Sequence, residues 1–189
     1  MSHRSGFPTL RPAYILKLLV GEGNPVGPVQ SGSEFIHYVI SPSLSRASYT
    51  ALIYPQATPD GTIATVPGFT PEVNARILFA GDWLYFDADK QHVRMNVKGV
   101  ARTLEGEGIN FSYSGVSKVS PELEGIFGGQ PQTVPFGLST MNTHFEVGSG
   151  RLKELENSTW IGNGRFLHED GKVLVEVRIA QVVASEDMY

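Results

Sequence analysis

From residue 91 to residue 102 apolar and polar residues alternate. Val93, Met95, Val97, Gly99 and Ala101 fall on one face, His92, Arg94, Asn96, Lys98 and Arg102 on the other. A period of two marks a strand with one buried side and one wet side, because successive side chains on extended backbone point in opposite directions. Glu105-Gly106-Glu107-Gly108 supplies a glycine-bearing turn, after which Ile109, Phe111 and Tyr113 alternate with Asn110, Ser112 and Ser114. The two runs form a hairpin with matched apolar faces. The same reading predicts strands over 13–20, 34–40, 45–54, 82–86, 142–147, 159–167 and 172–183, each bounded by Gly, Pro, Asn or Asp.

Helix signals are few. Ser120-Pro121 opens a short helix that Gly125 and the Gly128-Gly129 pair stop by residue 127, and Thr70-Pro71 opens a second one over 71–78. Residues 55–69, with three Pro and two Gly, read as a loop and as a candidate lid. Many strands with short turns make the chain all-β. The expected architecture is a single antiparallel β-barrel of about 8–10 strands with one or two short helices, because a sheet of that size closes to hide its edges. The 189 residues suffice for one such domain, placed at 12–185 behind a flexible segment at 1–11.

Composition narrows the function classes. Fifteen Lys and Arg against 19 Asp and Glu give a net charge of −4, and no basic cluster sits beside stacking aromatics, which argues against nucleic acid as a partner. Cys is absent, so disulfides, thiolate chemistry and Cys-ligated zinc are excluded. No stretch approaches the roughly 20 apolar residues of a membrane span, and the first eight residues lack the apolar core of a signal peptide, so a cytoplasmic protein with no membrane partner is expected.

Particular residues carry a family likeness. The run from Phe145-Glu146-Val147-Gly148 through Arg151 to Trp160-Ile161-Gly162-Asn163-Gly164-Arg165 is similar to the pattern F-E-T-G…R-Y-x-W-L-N…x-F-V-G-x-G-R of the bacterial and fungal family called domain of unknown function 3237. Asp82-Trp83 resembles that family's A-D-W block, and Tyr14 to Val29, ending in Val26-Gly27-Pro28, resembles its opening strand and turn. The resemblance implies a closed, calycin- or allene-oxide-cyclase-like barrel, pairing as a homodimer, with a pocket of unsettled biochemistry and an origin in a biosynthetic gene cluster. Two blocks depart from the pattern: residues 40–47 replace a glycine-rich segment, and Leu155-Glu156 stands where the family has L-N.

Candidate chemistry is sparse. There is no G-x-G-x-x-G after a strand, no Walker loop, no H-E-x-x-H and no G-x-S-x-G, so no cofactor is expected. Gly162-Asn163-Gly164 reads as a bulge or a close backbone approach. His144 and Glu146, two apart on one strand, share a face and suit an acid–base pair or two metal ligands, but no third ligand can be named; a solvent-facing polar stripe is the plainer reading, and no metal is expected. Asp82 opens a strand beside Trp83, where an aromatic wall would raise its pKa and prepare it for proton transfer; it equally suits a turn carboxylate accepting backbone N–H bonds. Arg165 is a candidate for polarising a carbonyl. Tyr49, Trp83, Phe111, Tyr113 and Trp160, with Glu146, are candidate substrate-binding residues, although packed core accounts for most aromatics in so small a barrel.

Without thiol, nucleotide motif or metal cluster, what remains for catalysis is shape, hydrogen bonding and one or two titratable groups. That chemistry fits a cofactor-independent isomerase or cyclase, pericyclic and hetero-Diels–Alder types included, acting on an apolar oxygenated small molecule of secondary metabolism. The alternative is a lipocalin-like carrier with the same cavity and no turnover.

Overall fold

The computed structural model describes residues 6–186 except 22, 31, 41–60, 131 and 170. The described strands are β1 (Thr9–Leu19), β2 (Gly23–Pro28), β3 (Glu34–Ile40), β4 (Gly61–Thr65), β5 (Asn74–Phe86), β6 (His92–Thr103), β7 (Gly108–Lys118), β8 (Val134–Val147), β9 (Trp160–Glu169) and β10 (Lys172–Val183). Two short helices, α1 (Pro121–Phe127) and α2 (Glu154–Asn157), accompany them, with a 3-10 turn at Gly150–Leu152. None of the described helices is long and apolar enough to cross a membrane.

Closure follows from the pairing. The strands run β5-β4-β1-β10-β9-β8-β7-β6, all antiparallel, and β6 returns to β5, which makes a closed eight-stranded barrel with no free edge in the ring. Long β5 is shared. Its first residues pair with β4, from Thr62↔Arg76 to Ala64↔Asn74, and its last pair with β3, from Glu34↔Phe86 to Ile40↔Ala80. The β2–β3 hairpin therefore extends the wall at one end of the barrel. Register breaks in β1 between Pro12 and Tyr14, in β5 between Ile77 and Phe79 and in β8 between Val134 and Ser139 supply the bends a small barrel needs.

The alternation in β6 and β7 is observed: Val93, Val97, Gly99, Ala101, Ile109, Phe111 and Tyr113 are buried and Met95 partly so, and His92, Arg94, Asn96, Lys98 and Arg102 are exposed. Helix α1 forms where Ser120 was expected to cap it, with the Leu123 N–H donating to Ser120 Oγ at 3.2 Å.

Three expectations are corrected. Residues 71–78 do not form a helix: Asn74 onward is strand β5, in which Ala75 and Ile77 alternate inward. The Thr70-Pro71 opening is overridden because this backbone finds ladder partners on both sides, β4 and β6, and Val73 is tied to Thr65 by bonds of Val73 N–H to Thr65 Oγ1 (2.6 Å) and Thr65 N–H to Val73 O (3.0 Å). The expected lid at 55–69 is in part barrel wall, since Gly61–Thr65 is β4 and Phe69 is buried in the core; 55–60 and the expected strand at 45–54 lie outside the described residues. The first strand begins before residue 12, with Thr9, Leu10 and Arg11 already paired to Val183, Val182 and Gln181.

Side chains fill the two halves of the barrel differently. At one end Tyr14, Phe69, Phe145 and Trp160 meet edge to face at centroid distances of 5.3–6.1 Å, and Leu152 and Leu155 cover them. Their polar tips are satisfied: Trp160 Nε1 donates to Leu155 O at 2.8 Å and the Tyr14 hydroxyl to Pro71 O at 3.1 Å. Burial of each such ring contributes roughly 1.5–3 kcal/mol, so this half is the stable plug. At the other end α1 lays Leu123 and Ile126 over Leu84, Val93 and Val134, and leaves space beneath.

Candidate functional site

The space beneath α1 is a chamber of about 40 Å³ inside the barrel. A buried water needs roughly 10–15 Å³, so the chamber accommodates about three non-hydrogen atoms. Its walls are mostly apolar, with Leu84, Val93, Met95, Met141, Phe166 and Val175 among them. Polar residues line it from four strands: Asp82 from β5, Tyr113 and Ser117 from β7, Ser139 from β8 and Arg165 from β9. Period two explains how they meet, since Asp82 shares its face of β5 with Ala80 and Leu84, Ser117 lies two turns of the pleat beyond Tyr113, and Ser139 precedes inward Met141.

Asp82 is half-buried and accepts one hydrogen bond, from the Asn96 backbone N–H at 3.2 Å. Among the described residues no cation pairs with it. Burial in this apolar setting disfavours the charged form and pushes its pKa up to about 7, the single backbone bond opposing only in part. Tyr113 is fully enclosed, and burial, with the Asp82 charge adding to it, holds the phenol well above its usual value, so it stays a protonated donor. Across the chamber Ser139 Oγ donates to Ser117 Oγ at 2.7 Å, and Ser117 Oγ reaches the Lys118 carbonyl only at 3.4 Å. The long second bond leaves the Ser117 hydroxyl hydrogen free to turn towards a better acceptor.

Met141 forms the floor. It lies over Gly162 and Gly164, where a Cβ would meet Met141 Cγ at 2.7 Å and Cε at 3.0 Å respectively. The glycine pair is thus a close approach, one of the two readings its sequence allowed.

The remaining candidates are dispersed. Trp83 falls on the opposite face of β5 from Asp82. His144 and Glu146 are exposed on the outer face of β8, where Glu146 accepts from the Asn110 side-chain amide. Among the described residues no three His, Asp or Glu side chains come together as metal ligands. Arg165 borders the chamber, but its guanidinium donates to Glu176 at 3.1 Å and lies 4.7 Å over the Phe136 ring. Phe111 is core, packed over Gly99, and Trp160 belongs to the aromatic plug. Tyr49 lies outside the described residues. Sequence reasoning missed Ser117, Ser139, Met95 and Met141. The available signal was a polar or flexible residue recurring on the core phase of a strand, as Ser117 does after Ile109, Phe111 and Tyr113.

Fold and site together define a closed antiparallel β-barrel with a small, mostly apolar chamber at one end, lined by a carboxyl group that has no cation partner among the described residues. The chain belongs to the family of proteins of unknown function DUF3237, whose model matches residues 8–182. Solved structures share the fold. A conserved protein of unknown function from Rhodopseudomonas palustris is 13% identical, covering 95% of this chain and 100% of that one with a TM-score of 0.71. A beta-barrel like protein from Acinetobacter baumannii is 14% identical (95% and 99% covered, TM-score 0.61), and an enzyme from Penicillium herquei is 14% identical (96% and 99% covered, TM-score 0.57). No curated protein matches the sequence.

Proposed function

We propose that the protein is a cofactor-independent acid–base catalyst, an isomerase or cyclase, acting on an apolar oxygenated small molecule held in the barrel, with Asp82 as the proton-transfer group. The observation that carries this reading is a carboxyl group that lines a mostly apolar chamber, accepts one backbone hydrogen bond and has no cation partner among the described residues. Such a placement is costly to stability and characteristic of functional sites. With a pKa of about 7 both forms of Asp82 are present near neutrality. It can give a proton to one atom of a substrate and take one from another, which leaves composition unchanged, as an isomerisation or cyclisation requires. Tyr113 and Ser117 supply hydrogen-bond donors for a developing oxyanion. That one relative in fold is described as an enzyme is compatible with this reading.

The test works with the substrate unidentified. Metabolite extract incubated with the protein in D₂O should contain a compound that gains deuterium, or changes retention time, without other change in mass. Asp82→Asn should slow that conversion by roughly 10²–10⁴ while leaving binding intact. Equal conversion by both proteins would overturn the role of Asp82. Saturable capture of one compound with no conversion by either would make the protein a carrier.

A further inference from the structure

Outside the chamber, a groove of about 670 Å³ runs across the same end of the barrel, between the end of β1, the β2–β3 hairpin, α1 and the β9–β10 turn. Its size lies within the roughly 300–1,000 Å³ of small-molecule sites. Leu19, Pro25, Ile36, Ile126 and Val173 give it aliphatic surface, and Lys172 adds a polar element. Val20, Phe127 and Phe166 border both the groove and the chamber, so they form the partition between them. Phe127, the last residue of α1, stands between Phe86 and Phe166 with centroid distances of 5.3 and 6.1 Å.

We propose that groove and chamber are two parts of one site for a lipophilic molecule with a short, oxygen-bearing head: the tail lies in the groove, the head passes Phe127 into the chamber, and Met141 over Gly164 limits the head to a few atoms. This rests on the reading that the Asp82 chamber is the functional site. Both parts are mostly apolar. The outer part offers aliphatic and aromatic surface with Lys172 beside it, and the inner part carries the side chains of Asp82, Tyr113, Ser117 and Ser139. An oxygen reaching the chamber accepts from the Ser117 hydroxyl, whose alternative acceptor is 3.4 Å away.

Two ketones with the same heptyl tail test the inference. The methyl ketone 2-nonanone has a head of three non-hydrogen atoms, while 2,2-dimethyl-3-decanone carries a tert-butyl head too large for about 40 Å³. Calorimetric titration of the intact protein should show one site for 2-nonanone and at least about tenfold weaker binding of the tert-butyl ketone, since one misfit methylene already costs about tenfold or more. Gly164→Ala adds a methyl group to the chamber wall, where it meets Met141 Cε at 3.0 Å and Ser139 Cβ at 3.4 Å. It should weaken 2-nonanone at least about tenfold with the melting temperature little changed, and Phe127→Trp should do the same from the partition. Equal affinity of the two ketones for the wild-type protein overturns the inference whatever the variants do. So does 2-nonanone binding that is indifferent to both substitutions. Discrimination between the ketones alongside undiminished conversion by Asp82→Asn in D₂O would defeat the proton-transfer reading and leave the two-part site standing.

Discussion

Replacing Asp82 by Asn keeps the size of the side chain and an acceptor for the Asn96 N–H, and removes the ionisable proton. In the fold the carboxyl titrates at about 7, against 3.8 in an unfolded chain. Between those values the folded protein holds a proton that the unfolded chain has lost, so the contribution to stability is complete below pH 3.8 and disappears as pH rises through 7. The gap spans about three pH units, and at about 1.4 kcal/mol for each the loss is about 4 kcal/mol. Asn carries no such dependence. Wild type and Asp82→Asn should therefore have similar stability at pH 4, and the variant should be the more stable by about 4 kcal/mol at pH 8. For a chain of this size each kcal/mol moves the melting temperature by about 2–4 °C, so the melting curves should separate by about 8–16 °C at the upper pH. Urea or thermal unfolding of both proteins from pH 4 to pH 8 measures it. A constant difference across that range, or a variant less stable by about 0.5–2 kcal/mol at pH 8, would refute the buried neutral carboxyl and make Asp82, which lies inside β5 and not at a strand opening or turn, a carboxylate that ties β5 to the Asn96 N–H of β6.

Glu176 titrates in the opposite sense: its burial would raise its pKa, but the Arg178 hydrogen bond at 2.7 Å and the charges of Arg178, Arg165 and Lys17 hold it below the usual range. That stability is present above the unfolded value of 4.5 and is lost as pH falls through the folded one. Glu176→Gln should cost about 2–3 kcal/mol at pH 7, because its half-exposed cations can rehydrate, and the cost should shrink below pH 4 in urea titrations. Gly99→Ala places a Cβ against the Phe111 ring and 2.7 Å from the Phe79 carbonyl oxygen, both fixed, and should lower stability by about 1–3 kcal/mol in the same assay. Dialysis against a chelator should leave the melting temperature unchanged; a fall of more than a few degrees would show a metal that stabilises the fold.

The elements that the sequence determined by itself are those whose signal is local. β6 and β7 show in the alternation of Val93 to Tyr113, α1 in the Ser120-Pro121 opening and its glycine stop, and β3 in the apolar run between Ser33 and Ser41. Asp82 was likewise legible as a carboxylate beside an aromatic in an otherwise apolar strand. Tertiary structure decided the rest. Residues 71–78 follow a plausible helix opening at Thr70-Pro71, yet from Asn74 onward they are strand because β4 and β6 offer ladder partners on either side, a gain no local window contains. His144, Glu146 and Arg165 looked chemically apt, but the phase of β8 turns the first two outward and the register of β9 against β10 sets Arg165 opposite Glu176. The site itself is a product of closure. Asp82, Ser117 and Ser139 are far apart along the chain and have no common motif. They face one chamber because the pairings of β5 with β6, β6 with β7 and β7 with β8 set Asp82 opposite Val97 and Val97 opposite Tyr113, with Ser117 four residues further along the same face of β7 and opposite Ser139.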